Sequence, residues 1–117
     1  GQDDRILLLR DGSEVRMRAA GPADAPLVAA LHARCSPATR RSRFLSPAPR
    51  LDPTEVAGLL GGDDGEAVLA VTVDGGSAVG IATVGPDGPA AARFGVLVED
   101  AWHGRGLGTS LLRRAVD

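Results

Sequence analysis

Between residues 96 and 109 the chain reads Val-Leu-Val-Glu-Asp-Ala-Trp-His-Gly-Arg-Gly-Leu-Gly-Thr, an apolar run that ends in three alternate glycines. Gly104, Gly106 and Gly108 present no side chains, so backbone N–H groups at these positions can close on an anion. A helix predicted from Thr109 to Val116 would add its own unpaired N–H groups and a partial positive charge at its start. The chemistry this spacing offers is a cradle for a phosphate or diphosphate. The bland reading of the same glycines is a tight turn that enters a helix.

A cradle works only if a rigid frame holds it, and the rest of the chain supplies one. Ile6–Leu9 and Val15–Arg18 flank Asp11-Gly12, a turn signal, and predict a hairpin with Val15 and Met17 on its buried face. After the Gly21-Pro22 break, Asp24 reads as an N-cap with Pro26 in the first turn of a helix that runs from Ala25 to Cys35. Ser36-Pro37 can cap a second short helix carrying Arg40, Arg41, Arg43, Phe44 and Leu45. Asp52-Pro53-Thr54-Glu55 is a variant capping box ahead of Val56, Leu59 and Leu60. The period then changes to that of strands at 67–73, 78–84 and 91–98, with turn clusters at 74–77 and 85–89. Short links of this kind favour an antiparallel meander, so the glycines sit between a buried strand and a helix of an α+β domain.

Composition narrows the function classes. The 117 residues carry thirteen basic and fifteen acidic groups, a net charge of -2, and 44% apolar residues. That is one domain over 1–117 with one core, and not a protein that coats a polyanion. All the basic residues are arginine; lysine and tyrosine are absent. The single cysteine, Cys35, excludes an internal disulfide and a multi-cysteine zinc site. No apolar run nears the ~18 residues of a membrane span, and Gly1-Gln2-Asp3-Asp4 is no signal peptide, so a soluble, cytoplasmic domain is the expectation. The start on Gly1 suggests a chain with incomplete ends.

Compared with known cradles, a Walker loop is excluded for want of lysine. A Rossmann fingerprint is excluded by its spacing and by its βαβ setting. The segment from His103 to Gly108 resembles instead the acetyl-CoA loop of the GNAT acetyltransferase superfamily, Gln/Arg-x-x-Gly-x-Gly/Ala. Gly106 and Gly108 stand at its two small positions, and His103 stands where Gln or Arg is usual. The hairpin at Asp11-Gly12, the helix after Gly21-Pro22-Ala23-Asp24, and Ser42-Arg43-Phe44-Leu45-Ser46-Pro47 extend the likeness to bacterial Pat-type protein acetyltransferases, over residues 5–117.

This resemblance implies a mixed, mainly antiparallel sheet flanked by helices, here without the C-terminal strands of the family fold. It implies acetyl-CoA as co-substrate, an amine acceptor on a protein or small molecule, and no metal. The cofactor-binding residues would be Leu97 and Val98, whose backbone pairs with the pantetheine arm, and His103, Gly104, Arg105, Gly106, Gly108 and Thr109. Arg105 and the Thr109 hydroxyl would add charge and a hydrogen bond. Catalysis would be direct attack of the amine on the thioester.

The general base is harder to place. Pat-like domains carry Glu on the strand before the loop, where this chain has Arg93, and a guanidinium cannot take the proton. Glu99 and Asp100 are the remaining candidates, against a plainer role as turn formers. His32 and Cys35 read as core residues, and Trp102 as a prop for the loop. The window from Asp24 to Asp52 holds Arg34, Arg40, Arg41, Arg43 and Arg50 with no acid, which suits an anionic ligand or a solvated helix face. Nucleic acid is not expected, for want of interleaved aromatics, and neither is a membrane. In the family a further strand after the helix predicted here from Thr109 to Val116 walls one side of the cofactor slot, and here a homodimer or a second domain would supply that wall. The alternative reading is a non-catalytic acyl-CoA-binding or regulatory module, or a fragment of a larger acetyltransferase.

Overall fold

The computed structural model describes residues 5–38, 65–86 and 92–116. Five strands, β1 (Arg5–Leu8), β2 (Glu14–Ala19), β3 (Glu66–Val71), β4 (Ala78–Pro86) and β5 (Ala92–Val98), form one sheet in chain order. Every pairing among them is antiparallel, the arrangement that short connections dictate. The sheet is therefore wholly antiparallel among the described residues. Helices α1 (Ala25–Arg34) and α2 (Leu107–Val116) cover it. The helix predicted after Ser36 begins at Pro37 and Ala38; its remainder, with Arg40, Arg41, Arg43, Phe44 and Leu45, and Arg50 and the helix predicted after Asp52 lie outside the described residues. No helix among the described residues is long and apolar enough to cross a membrane.

The alternation of β-strand side chains sorts the core into two layers. Val15, Met17, Val68 and Ala70 pack with Leu107 and Leu111 of α2. Ala67, Leu69, Val71, Ile81 and Leu97 pack with Val28 and Leu31 of α1. Each helix thus takes one face, and β3 from Ala67 to Val71 is buried throughout.

Two local seats fix where the chain leaves the sheet for the glycines. On β4, a Cβ at Gly80 would stand 2.8 Å from Leu111 Cδ1 and 3.4 Å from Leu107 Cδ2. Glycine there lets α2 approach the sheet closely, and so sets the position of the helix start. On the other face, Arg34 Nε meets Glu99 Oε1 at 2.6 Å, and its terminal nitrogen also donates to the Ala78 carbonyl.

Three expectations about boundaries differ from what forms. The first hairpin turns at Asp11-Gly12, but through three residues rather than two: Leu9 N–H donates to the Ser13 carbonyl at 2.8 Å, Gly12 N–H donates to the Leu9 carbonyl at 3.0 Å, and Gly12 has a φ of +90°. Leu9 falls on the same face as Leu7, against the core layer under α2, where it is 5% exposed. Strand β3 stops at Val71 rather than Val73, because Thr72 begins a turn closed by hydrogen bonds to Asp74 and Ser77. Asp24 makes no side-chain cap on α1. Its carboxylate instead accepts two hydrogen bonds from Arg18, at 2.7 and 2.9 Å, and one from Gly21 N–H. The bonds from Arg18, then the one from Gly21, outweigh its burial and hold its carboxyl below the usual range.

Candidate active site

The path from β5 to α2 is a short 3-10 turn, Asp100–Trp102, followed by the glycines. Gly104 and Gly106 have φ of +78° and +83°, the left-handed region that strains any L side chain. Two successive kinks of this kind curl the backbone just ahead of α2. Helix α2 itself begins at Leu107, two residues earlier than predicted, so Gly108 lies in its first turn. The first bond that reaches into the loop runs from Ser110 N–H to the Gly106 carbonyl, at 3.2 Å. Among the described residues, the N–H groups from Gly104 to Thr109 meet no protein acceptor outside α2, and the first N–H groups of a helix have none within it.

These unpaired donors border an open cleft of about 430 Å³. Its floor is Val96 and Val98 of β5 with Leu107; its rim is His103, Gly104, Gly106, Gly108 and Thr109. Trp102 lines it too, half-buried against the core layer under α2, where it supports the loop as expected.

The side chains around the cleft divide into committed and uncommitted groups. Arg105 is committed. Its guanidinium meets Asp11 Oδ2 at 3.1 Å, donates to Ser13 Oγ at 2.8 Å and to the Ala101 carbonyl at 3.1 Å, and lies 4.7 Å over the Trp102 ring. The charge expected of Arg105 at the cradle is therefore spent on tying the loop to the β1–β2 hairpin, and Arg105 itself does not line the cleft. Hydrogen bonds from Ser13, with the Arg105 charge as a smaller contribution, hold the Asp11 carboxyl below the usual range. His103 is committed as well: Nε2 lies 2.8 Å from the Val98 carbonyl, so that nitrogen carries the hydrogen.

The edge of β5 has a definite polarity. Glu99 N–H donates to the Val79 carbonyl on β4. The alternation of an antiparallel ladder then turns the Leu97 groups toward β4 and those of Val96 and Val98 outward. Leu97 is 1% exposed and packs toward α1, so the strand edge open to a ligand belongs to Val96 and Val98, not to Leu97.

Neither candidate base borders the cleft. Glu99 is held by Arg34, and Asp100 Oδ1 accepts the Ser36 N–H at 2.9 Å. Both tie the end of β5 to the α1 side of the sheet, which is the turn-forming role. His32 is fully buried and Cys35 is 2% exposed, its sulfur 3.9 Å from the Val98 carbonyl. Arg93 falls in β5 opposite Gly85, and its side chain lies outside the described residues.

One cleft residue escaped the sequence reading. Arg10 lines the cleft, and a Cβ on Gly106 would stand 3.0 Å from its Nε. Nothing local marks Arg10 as a site residue; only the docking of the hairpin on the loop, ninety-odd positions on in the chain, brings it there.

Comparison with known proteins bears on the fold and the family. No curated protein matches the chain. Among solved structures it is similar to the GNAT domain of S. lividans PAT, with a TM-score of 0.83 and 26% identity over 99% of this chain and 71% of that one. The family model described as acetyltransferase (GNAT) family matches residues 29–117. The chain belongs to the GNAT acetyltransferase family.

Proposed function

We propose that the chain binds acetyl-CoA in the cleft beside the glycine loop and transfers the acetyl group to a primary amine. The observation that carries this reading is the row of unpaired N–H groups from Gly104 to Thr109 at the rim of an open cleft. Such a row, with left-handed glycines and a helix start, suits the diphosphate of a nucleotide thioester. Val96 and Val98 on the outer edge of β5 would bond the pantetheine arm as a further strand. His103 already holds the Val98 carbonyl, so the arm would meet the Val96 groups and the Val98 N–H. One of those N–H groups would also stabilise the negative charge that gathers on the thioester oxygen during attack.

In the transfer, the neutral amine attacks the carbonyl carbon, an N–C bond forms, the C–S bond breaks and the thiolate departs. No carboxylate lines the cleft among the described residues, and the chain has no tyrosine. The reading therefore assigns both proton transfers to water. The rate should rise with pH until the acceptor amine is itself deprotonated.

The same lack of a carboxylate or tyrosine among the described residues of the cleft favours a second reading, an acyl-CoA-binding module without transfer. Thiol release from acetyl-CoA with a panel of amines separates the two: turnover supports the enzyme, and tight binding without turnover supports the module. Among the described residues no strand pairs with the outer edge of β5, so a strand from a second copy or a second domain could wall the slot on the far side of the pantetheine arm.

A further inference from the structure

We infer that Arg10, carried to the cleft by the β1–β2 hairpin, is the cationic residue that holds the diphosphate; this rests on the acetyl-CoA reading of the cleft. Three observations meet in it. Arg10 is exposed and borders the cleft between Gly106 and the floor valines. Its guanidinium approaches Gly106 so closely that a Cβ there would stand 3.0 Å from Nε and 3.5 Å from Cζ. That is within a phosphate's width of the unpaired amides. Among the described residues, the Arg10 side chain has no carboxylate or hydrogen-bond partner, whereas Arg105 next to it has an acid, a hydroxyl, a carbonyl and a ring.

The hairpin is built to present this charge. Asp11 and Ser13 grip the Arg105 guanidinium, and Arg10 N–H approaches the Arg105 carbonyl at 3.4 Å, so the residue between sheet and turn is pinned to the glycine loop. Asp11 would otherwise be the natural partner of its neighbour Arg10. Its engagement with Arg105 leaves Arg10 with positive charge unneutralised beside donors that already favour an anion. A guanidinium there can add two parallel hydrogen bonds to phosphate oxygens. The cleft thus draws its charge from the far end of the fold, while the loop arginine serves as a structural tie.

The ligand class is a diphosphate ester, and the test uses three probes: CoA, 3′-dephospho-CoA, which keeps the diphosphate, and pantetheine, which lacks it. Calorimetric titration of the full chain should show Arg10→Ala weakening CoA and dephospho-CoA alike, by roughly tenfold or more. Arg10→Lys should recover part of the loss, and pantetheine should bind wild type and variant equally. Thermal unfolding of both variants should match wild type, since the side chain is exposed. If wild type binds CoA and Arg10→Ala binds it equally well, the role of Arg10 is overturned while the cleft reading stands. If Arg10→Ala weakens CoA but not dephospho-CoA, the residue reads the 3′-phosphate and the diphosphate assignment is overturned. If wild type binds neither nucleotide, the acetyl-CoA reading itself fails, and this inference with it.

Discussion

Two stretches of chain that touch in sequence are used in opposite ways. Glu99 and Asp100 close the end of β5 against α1, and each is matched: Glu99 by Arg34, Asp100 by the Ser36 N–H. A few residues on, at Gly104, Gly106, Gly108 and Thr109, the backbone donors have no acceptor outside α2 among the described residues and border a cleft. Charged side chains beside a catalytic loop invite a catalytic reading. Here they close the end of the strand, and the bare main chain is the surface we propose for the ligand. Polar groups matched at about ideal geometry stabilise a fold, whereas donors left unmatched at an open surface remain available to a ligand.

The contrast can be broken at the loop with the largest effect. Gly106→Glu puts a charged side chain at φ +83°, against the Arg10 guanidinium. It should lower CoA affinity at least ~100-fold through strain, steric block and repulsion of phosphate. Calorimetry measures the affinity, and circular dichroism checks that the sheet and helices persist.

On the structural side, Gly80→Val should cost about 2 kcal/mol or more, because Leu111 Cδ1, 2.8 Å from the added Cβ, is fully buried and must move. Urea unfolding would register it as a lower midpoint. Since α2 seats on Gly80, CoA affinity should also fall, which ties the frame to the cradle.

A purely structural acid gives a smaller and cleaner result. Asp24→Asn removes the charge from a carboxylate held by Arg18 and Gly21, and should cost roughly 1–3 kcal/mol with CoA binding unchanged. The pH dependence has a definite sign. The folded carboxyl titrates below its ordinary value, so its contribution is present above the unfolded pKa near 3.8 and is lost as pH falls through the lower folded value. Wild-type stability should therefore drop on acidification below about pH 4, and the Asn variant should drop less. The smallest effect is expected for Glu99→Gln, which keeps a hydrogen-bonding partner for Arg34 at a partly exposed site. Any acetyl transfer rate should change less than about twofold, whereas a general base would lose far more.

Most of the frame was legible because it depends on local patterning. The alternation Val15, Met17 gave the buried face of β2, and the turn residues at 74–77 separated β3 from β4. The shape of the loop was legible for the same reason: glycines just ahead of a helix mark places where the backbone can turn left-handed, as it does at Gly104 and Gly106. What escaped depends on contacts between distant residues. No spacing reveals that Asp24 would pair with Arg18 rather than cap α1, or that Arg105 would reach Asp11 and Ser13. Nor could the sequence show which side of β5 turns outward, since that follows from the register with β4. Arg10 is the clearest case, an unremarkable residue at a turn until the hairpin docks on the loop.

The central claim is that main-chain donors from Gly104 to Thr109 receive the diphosphate. Amide NMR of the 15N-labelled chain during titration with CoA tests it residue by residue. The account predicts that the Gly104, Gly106 and Gly108 signals shift most, and that pantetheine leaves them in place. Saturable CoA binding with those three amides unmoved would contradict it.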